Sequence, residues 1–566
     1  MNKTNLLTTE YEKGLLNKVP YLEYPRPQMQ RESYINLNGK WNFKILSKGG
    51  KIKQDGEILV PFPPESRISG IETLIGKKDT LVYERTFSLP KDFILDKVFL
   101  HFGASDAYTQ VFVNDTKVIE NVGGYLPFFA EIKSALKDGE NLLRVLIKDP
   151  LDKNLPYGKQ SEKSHGIWYT KTSGIWQTVW LESTPENHIE DVKITPDLTG
   201  IDIAVLGGED LKKIVVDGKE YSFCGEFFRI EIENPIHWSP ENPHLYEVEI
   251  LSGKDKIKSY FGLRTIEIVE ENNVKKLALN GKPYFFNGVL DQGYFSDGIF
   301  LPANEKGYLD DIKTMKDLGF NTIRKHIKLE PDIFYYYCDK VGMLVFQDMI
   351  NSGRYNFLLD TALPTVFLKK GVKKFARKRR KMEFVKTSIG IVDHLYNHPS
   401  VVYYTIFNEG WGQFSEKKNY QLIKSLDPTR ICDTTSGWFK VKYTDVLSDH
   451  VYFKKIRKRK KIDKPWVISE FGGYTYKIEG HSFYKNKAYG YKLIKDGKEF
   501  EKEIVGLYLN QILPCVKGGL SGAIITQLSD IEAETNGFLT YDRKVIKIDK
   551  KVMKDISKKL IDEFKK

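Results

Sequence analysis

The chain has 566 residues, more than one hydrophobic core supports, so its length predicts three or four domains. Apolar residues make up 41% of it and aromatic residues 13%, which excludes an intrinsically disordered chain. The net charge of +12 comes from 87 Lys and Arg against 75 Asp and Glu, a small excess that excludes a strongly basic or acidic protein.

Residues 1–185 are predicted to form an antiparallel β-sandwich of jelly-roll type. Short alternating runs such as LVYERTFSL (81–89) and NLLRVLIKD (141–149) are separated by Gly, Asn, Asp and Pro turns, with no helical-period stretch between them. Residues 186–268 continue with short strands such as GIDIAVL (200–206) and fit a smaller immunoglobulin-like β-sandwich.

Residues 269–566 are predicted to contain a (β/α)₈ TIM barrel, because apolar strand-like runs now alternate with amphipathic helical stretches. The helical stretches include 305–319 and 503–516. The eight predicted strands are YFFNGVL (284–290), NTIRKHI (321–327), LVFQDM (344–349), VVYYTIFNEG (401–410), ICDTTSG (431–437), DVLSDHVYF (445–453), WVISEFGG (466–473) and GAIITQLSD (522–530).

Two glutamates end predicted barrel strands at Gly-containing turns, Glu409 on the fourth strand and Glu470 on the seventh. These strands lie on opposite sides of an eight-stranded barrel, so their carboxyl ends face one another across the mouth that carries the chemistry of such barrels. Glycoside hydrolysis requires two opposed carboxylates, a proton donor and a nucleophile or base. For either glutamate taken alone, a surface charge with no catalytic role is an equally good interpretation. The pair predicts a glycosidase.

Segments along the whole chain carry a family pattern. They are NGKWNF (38–43) and SGIWQTVWLE (173–182) in the first domain, WSPENPHLY (238–246) in the second, and NHPSVVYYTIFNEGWGQF (397–414), SEFGG (469–473) and NGFLTYDRK (536–544) in the third. In this order they resemble glycoside hydrolase family 2, which contains β-galactosidases, β-glucuronidases and β-mannosidases. The resemblance implies an exo-acting, retaining β-glycosidase.

The resemblance also implies roles for single residues. Glu409 matches the family's acid/base and Glu470 its nucleophile. Asn408 matches the residue that hydrogen-bonds the sugar 2-hydroxyl, with a turn residue as the alternative. Tyr452 matches the tyrosine that holds the nucleophile, and His326 falls where the family places a pocket histidine, although both side chains also suit packing at the barrel top.

Further candidate sugar contacts follow other strand ends. Trp411 and Trp438 come after strand-end Gly residues and suit a platform for a sugar ring, although buried Trp is also common core material. His450 suits a site role and plain packing equally. The remaining candidates are Asp291, Gln292, Arg324 and Asp348.

No metal or other cofactor is expected. The sequence contains no HExxH, no Cys/His quartet and no EF-hand loop. In the magnesium-binding galactosidases that this chain resembles, the segment after the third strand supplies a ligand, and QDMINSG (347–353) offers nothing similar.

Other partners and compartments are constrained by what the sequence lacks. The basic segments 373–381 and 454–464 have no interleaved aromatics or nucleic-acid module, so we interpret them as solvated loops, with a nucleic-acid-associated protein as the alternative.

Four scattered cysteines predict reduced thiols. Without an apolar N-terminal segment or a run of about eighteen apolar residues, we expect a cytoplasmic protein that does not bind membranes. Self-association is left open.

The sugar is predicted from the segment before NGFLTYDRK. The β-glucuronidases that this chain resembles carry an Asn and a Lys there, and that Lys pairs with the substrate carboxylate. This chain reads EAETNG, with Glu532 and Glu534 close by. We therefore expect a small neutral glycoside or oligosaccharide, with a β-galactoside first. The alternatives are a β-glucuronidase, β-mannosidase or arabinosidase of the same family, and a non-catalytic carbohydrate-binding protein.

Overall fold

The computed structural model describes residues 4, 6–15, 18–356, 358, 360 and 376–566. Part of the basic segment 373–381, residues 373–375, lies outside this description, and Lys378 begins a helix. The other basic segment, 454–464, is a largely exposed loop between the sixth and seventh barrel strands, as interpreted from the sequence. Among the described residues, no helix combines the length and the apolar composition needed to cross a bilayer. All four cysteines are free thiols.

The first unit is a β-sandwich built from residues that alternate between core and surface. Strand Gly39–Leu46 buries Trp41, Phe43 and Ile45, and the residues between them are exposed or partly exposed. The larger sheet pairs, in spatial order, Ile52–Val60, Gly39–Leu46, Thr80–Ser88, Glu140–Lys148, Tyr108–Val113 and Thr116–Val122. The smaller sheet pairs Tyr34–Asn36, Val179–Thr184, Lys97–Phe102 and Phe128–Glu131.

Short elements complete this unit. Two-residue strands pair Gln160–Ser161 with Tyr169–Thr170, and Ser105–Asp106 with Gly174–Ile175. Single 3₁₀ turns occur at Glu10–Glu12, Arg67–Ser69 and Lys133–Ala135.

The second unit is a smaller two-sheet sandwich with its own apolar core. One sheet pairs Ile189–Pro196, Gly200–Gly207 and Phe227–Glu231. The other pairs Lys219–Cys224, Leu211–Val216, Tyr246–Ser252 and Asp255–Phe261. A three-stranded ribbon, Ile266–Glu271, Val274–Leu279 and Lys282–Pro283, leads from it into the third unit.

The third unit is the predicted parallel eight-stranded barrel. Its strands in chain order are Phe286–Asp291, Thr322–Lys325, Leu344–Asp348, Val401–Asn408, Ile431–Ser436, Leu447–Val451, Trp466–Gly472 and Leu520–Thr526. The first strand pairs with the second and the eighth, and the ladder is open only between the fifth and the sixth. All eight predicted strands are therefore confirmed. A separate parallel pair, Tyr474–Tyr476 with Lys492–Ile494, follows the seventh strand.

Helices surround the barrel. They are Lys306–Asp317, Asp332–Val341, Lys378–Leu395, Glu416–Leu426, Gly497–Leu507, Leu513–Val516 and Lys550–Phe564, with a π-helical turn, Tyr508–Ile512, joining the fifth to the sixth. Barrel residues on one side of the strands, such as Val289 and Val345, share a core with Ile312 of the first helix. Residues on the other side, such as Phe346 and Tyr403, stack inside the barrel with ring centroids 4.1 Å apart.

A buried ion-pair network ties the first unit to the second. Glu182 accepts from Arg26 and Arg31, with N···O distances of 2.8 and 3.1 Å, and Arg31 also binds Asp255 of the second unit at 2.9 Å. The Glu182 side chain is 1% exposed. Because a buried cation needs its partner anion, Glu182 holds both arginines, and through Arg31 the second unit, in place.

The first prediction concerns this network. Glu182→Ala leaves two arginines without their shared carboxylate, and we expect a loss of about 3–5 kcal/mol in the free energy of unfolding, measured by urea denaturation. The control is Glu57→Ala, which breaks the exposed pair with Lys40 and is expected to cost less than about 1 kcal/mol. Equal losses in the two variants would contradict the proposed linkage.

Candidate active site

The two strand-end glutamates meet at the mouth of the barrel. Glu409 follows the fourth strand, Val401–Asn408, and Glu470 lies within the seventh, Trp466–Gly472. A carboxylate oxygen of Glu409, one of Glu470 and a ring nitrogen of His450 all lie within 4.8 Å of one another. The separation of the two carboxylates is thus close to the about 5 Å that double-displacement glycosidases use.

Glu409 has a left-handed backbone conformation, with φ of +51°. Such a conformation costs a non-glycine residue on the order of 1–3 kcal/mol and persists where the surroundings enforce it, commonly at functional sites. Here the Glu409 N–H donates to the carbonyl of Ser436 at 3.1 Å, and the carboxylate bonds to the Nδ1 of His450 at 2.8 Å. The turn directs the carboxylate across the mouth.

A fully buried arginine organises the other carboxylate. Arg324, in the second strand, donates to Glu470 Oε1 at 2.9 Å and forms a two-pronged pair with Asp348, with both distances 3.0 Å. The same guanidinium donates to Asn408 Oδ1 at 2.9 Å and to the hydroxyl of Ser436 at 3.2 Å. One side chain therefore links the ends of four strands other than its own.

Glu470 is held in its ionised form. Burial by itself would raise its pKa, but the neighbouring charges of His450 and Arg324 and the hydrogen bond from Tyr452 outweigh burial and hold the pKa well below its usual range. The Tyr452 hydroxyl donates to Glu470 Oε2 at 2.5 Å. Burial and the charge of Glu470 raise the pKa of Tyr452, so the phenol remains a donor.

Asn408 is fixed by its amide oxygen. That oxygen accepts from Arg324 and, at 2.8 Å, from Ser436. The amide nitrogen has no hydrogen-bond partner in the described part of the chain, so its two N–H donors remain available beside Glu409.

His326 joins the same network through Asp348, whose Oδ2 lies 2.8 Å from the Nδ1 of the imidazole. Burial lowers the pKa of His326 despite this carboxylate, so the ring is neutral at neutral pH. Trp438 is partly buried and lies edge-on to His450, with ring centroids 5.6 Å apart. The Nε1 of Trp438 has no hydrogen-bond partner among the described residues.

Two predicted sugar contacts lie outside this group. Both carboxylate oxygens of Asp291 are occupied, one by the Gly293 N–H at 2.8 Å and the other by Lys325 at 2.6 Å. Trp411 is 3% exposed, donates to the carbonyl of Gly353, and packs edge-to-face against Trp168 of the first unit. A sugar platform needs an open ring face, so packing between the first unit and the barrel describes Trp411 better.

Whether this site can hold a metal ion depends on the contacts that its side chains already make. Among the described residues, Glu409, His450 and Glu470 are the group of His, Cys, Asp and Glu side chains close enough to share a cation. Glu470 already accepts from Arg324 and Tyr452, and Glu409 contacts His450. Those contacts compete with a cation for the same carboxylate oxygens. The expectation of no metal stays a prediction.

Sequence reasoning missed how the first unit reaches the mouth of the barrel. Ser164 and the Thr170 N–H donate to Glu532, and Tyr169 donates to Glu534. These contacts span more than 360 residues of chain, and no local pattern in the sequence announces them. The same is true of Tyr491, whose ring stacks on Tyr452 with centroids 4.0 Å apart.

A cavity of about 450 Å³ lies elsewhere, where the first unit, the second unit and the barrel helices meet. It is lined by Tyr24, His101, Trp180, Asp191 and Tyr396 among others, and by none of the residues around Glu409 and Glu470. Cavity size therefore does not mark this site. The paired carboxylates do.

Family models match most of the chain. The model described as "Glycosyl hydrolases family 2, sugar binding domain" matches residues 35–185, "Glycosyl hydrolases family 2" matches 205–264, and "Glycosyl hydrolases family 2, TIM barrel domain" matches 269–544.

Curated relatives carry two kinds of name. A β-galactosidase of Thermoanaerobacter pseudethanolicus is 27% identical over 297 residues, covering 47% of this chain and 39% of that protein. A putative β-glucuronidase of Formosa agariphila is 25% identical, covering 72% of this chain and 51% of that protein. A β-glucuronidase of Streptococcus agalactiae is 25% identical over 525 residues, covering 80% and 84%. The chain spans about half or less of the length of the first two.

Solved structures share the fold. A β-glucuronidase of Ruminococcus gnavus superposes with a TM-score of 0.75 at 18% identity, covering 95% of this chain and 99% of that one. A β-galacturonidase of Eisenbergiella tayi superposes with a TM-score of 0.70 at 19% identity, covering 96% and 99%. With the three family models in the family's domain order, these matches lead to one conclusion: the chain belongs to glycoside hydrolase family 2.

Proposed function

We propose that the protein is a retaining, exo-acting β-glycosidase that removes a terminal sugar by double displacement. The observation that carries the proposal is the pair Glu409 and Glu470, with carboxylate oxygens within 4.8 Å at the mouth of the barrel. Inverting enzymes hold their carboxylates about 6.5–9.5 Å apart to admit a water molecule, so this spacing supports the retaining course.

The surroundings assign different roles to the two carboxylates. Glu470, paired with the permanently charged Arg324, stays ionised and attacks the anomeric carbon. Glu409 donates its proton to the glycosidic oxygen as the bond to the leaving group breaks. In the second step Glu409 takes a proton from water, which attacks the anomeric carbon and releases Glu470. The Glu409 side chain is 14% exposed against 7% for Glu470, which suits the residue that meets water.

Neighbouring side chains support both steps. The free N–H donors of Asn408 suit the sugar 2-hydroxyl, a contact that strengthens in the transition state of this reaction. Tyr452 fixes one oxygen of the nucleophile and leaves the other to Arg324. His450 contacts both carboxylates, with its Nδ1 2.8 Å from Glu409 and its Nε2 3.5 Å from Glu470.

The proposed function covers both neutral and uronic terminal sugars. The sequence favours a neutral glycoside, and a β-galactoside first, because a uronate would lack a Lys near Asn536 and would meet Glu532 and Glu534. In the structure both glutamates accept hydrogen bonds from the first unit, and burial raises the pKa of each, so the repulsion of a uronate is weaker than the sequence predicts. The relatives are named for neutral and for uronic sugars alike.

The second prediction tests the two roles with 4-nitrophenyl β-glycosides. Glu470→Ala is expected to lower kcat by at least about a thousandfold, and added azide is expected to give the α-glycosyl azide because it replaces the nucleophile. Glu409→Ala is expected to keep slow turnover of this good leaving group and to give the β-azide.

The control for both variants is Glu479→Ala, at an exposed glutamate nine residues beyond Glu470. Near wild-type rates in Glu470→Ala would contradict the site assignment. Sugar binding without hydrolysis of any glycoside by the wild type would favour the non-catalytic alternative.

The third prediction concerns pH. Tyr452→Phe removes a donor to ionised Glu470, so the pKa of Glu470 rises and the acidic limb of kcat/KM moves to higher pH. A hydrogen bond to a charged group contributes about 1.5–3 kcal/mol, which corresponds to a shift of about one to two pH units. Tyr491→Phe keeps the ring that stacks on Tyr452 and is expected to leave the limb in place. An unmoved limb in Tyr452→Phe would show that this bond does not tune the nucleophile.

A further inference from the structure

A loop of the first unit forms part of the wall of the active site. We call residues 149–173 the docking loop. The N–H groups of Tyr157 and Gly158 donate to the carbonyl of Asn351, after the third barrel strand. Farther along, the loop binds Glu532 and Glu534, after the eighth strand. The docking loop thus spans one side of the barrel mouth and is held at both ends.

Lys159 lies between these two attachments. Its carbonyl accepts the Tyr169 N–H at 3.0 Å, which fixes the backbone. The preceding Gly158 sits directly against the barrel, because a Cβ there would lie 2.9 Å from the carbonyl of Ile327, the residue after His326. The Lys159 side chain is partly buried, and its ammonium makes no ion pair or hydrogen bond within the described ranges.

The neighbouring buried cations, by contrast, are all paired. The pairs are Arg324 with Asp348 and Glu470, Lys325 with Asp291 and Glu330, Lys328 with Glu330, Arg543 with Asp311, and Lys547 with Asp530. The first three of these cations lie at or just after the end of the second barrel strand. The other two follow the eighth strand. Lys153 of the docking loop also has no ion pair, but its ammonium lies 3.5 Å from the centroid of the Tyr157 ring, whereas the ammonium of Lys159 has no such ring contact among the described residues.

The charge of Lys159 affects two titratable groups at the barrel mouth, His326 and Glu534. Burial is the main cause that lowers the pKa of His326, and the nearby Lys159 lowers it further. Burial raises the pKa of Glu534, and Lys159 acts in the opposite direction on that carboxyl. The ammonium thus lies within electrostatic reach of both residues, and Glu534 is itself near enough to Glu470 to feel its charge.

We propose that Lys159 is a specificity-determining residue that binds an acidic group on the terminal sugar, with the C6 carboxylate of a β-uronide as the ligand. The inference rests on the proposed glycosidase function and deepens it. In this proposal Lys159, which belongs to the first unit, takes the place of the Lys that is missing near Asn536. The docking loop also supplies hydrogen-bond donors to Glu532 and Glu534, so these two carboxyl groups do not face such a substrate unpartnered.

The fourth prediction compares Lys159→Met with Lys163→Met, an exposed lysine of the same loop. The substrates are the 4-nitrophenyl β-glycosides of D-glucuronate, D-galacturonate, D-galactose and D-galactose 6-sulfate. We expect the wild type to prefer an acidic glycoside. Lys159→Met is expected to lower kcat/KM for that substrate by about ten- to a hundredfold and to leave the galactoside within about twofold. Lys159→Arg is expected to retain most of the activity, and Lys163→Met all of it.

The outcomes separate this inference from the proposed function. Preference for the 6-sulfate with the same dependence on Lys159 supports the anion site and identifies sulfate as its ligand. A wild type that hydrolyses only neutral glycosides, or a Lys159→Met variant that loses neutral and acidic substrates equally, would overturn the inference while the glycosidase stands.

If no glycoside is hydrolysed, the proposed function fails, and calorimetric binding of D-glucuronate and D-galacturonate then decides the role of Lys159. An affinity about tenfold weaker or more in Lys159→Met supports the anion site, and an unchanged or undetectable affinity overturns it.

Discussion

The site depends on one buried cation. Arg324 is fully enclosed, yet it donates to Asp348, Glu470, Asn408 and Ser436, which end four different barrel strands. A guanidinium in such surroundings is stable only while its anionic partners remain, since breaking a buried pair costs about 3–5 kcal/mol. Its planar fork also fixes the direction of every bond. The position of Glu470 and the orientation of Asn408 therefore follow from one side chain, which together with His450 and Tyr452 also keeps Glu470 ionised.

The two carboxylates differ because their environments differ. Glu470 accepts from the arginine and a tyrosine donor, while Glu409, in its left-handed turn, contacts His450 and is the more exposed of the two side chains. In the proposed mechanism the first of these groups is the nucleophile and the second the acid. The docking loop of the first unit lies along one side of the barrel mouth, where it donates hydrogen bonds to Glu532 and Glu534.

Much of this could be predicted from sequence, and the rest could not for physical reasons. The barrel strands, and Glu409 and Glu470 at their ends, follow from local apolar patterns and from the fixed geometry of a closed parallel sheet. The role of Arg324 depends on four side chains from distant positions, so the sequence indicated only a sugar contact. For Trp411, the position after Gly410 suggested a platform for a sugar ring. In the structure, rings of the first unit pack against this side chain. Lys159 has no local signature either, because the lack of a partner for its ammonium among the described residues is visible only in the folded structure.

The central claim is that Glu470 is the group that becomes covalently attached to the sugar. The most direct test is incubation with 2-deoxy-2-fluoro-β-glycosyl fluorides of the preferred sugar, which slow the release of the intermediate, followed by peptide mass mapping. The account predicts one added glycosyl group on the peptide that contains Glu470, and none in Glu470→Ala. A glycosyl group on any other residue, or turnover without a trapped intermediate, would contradict it.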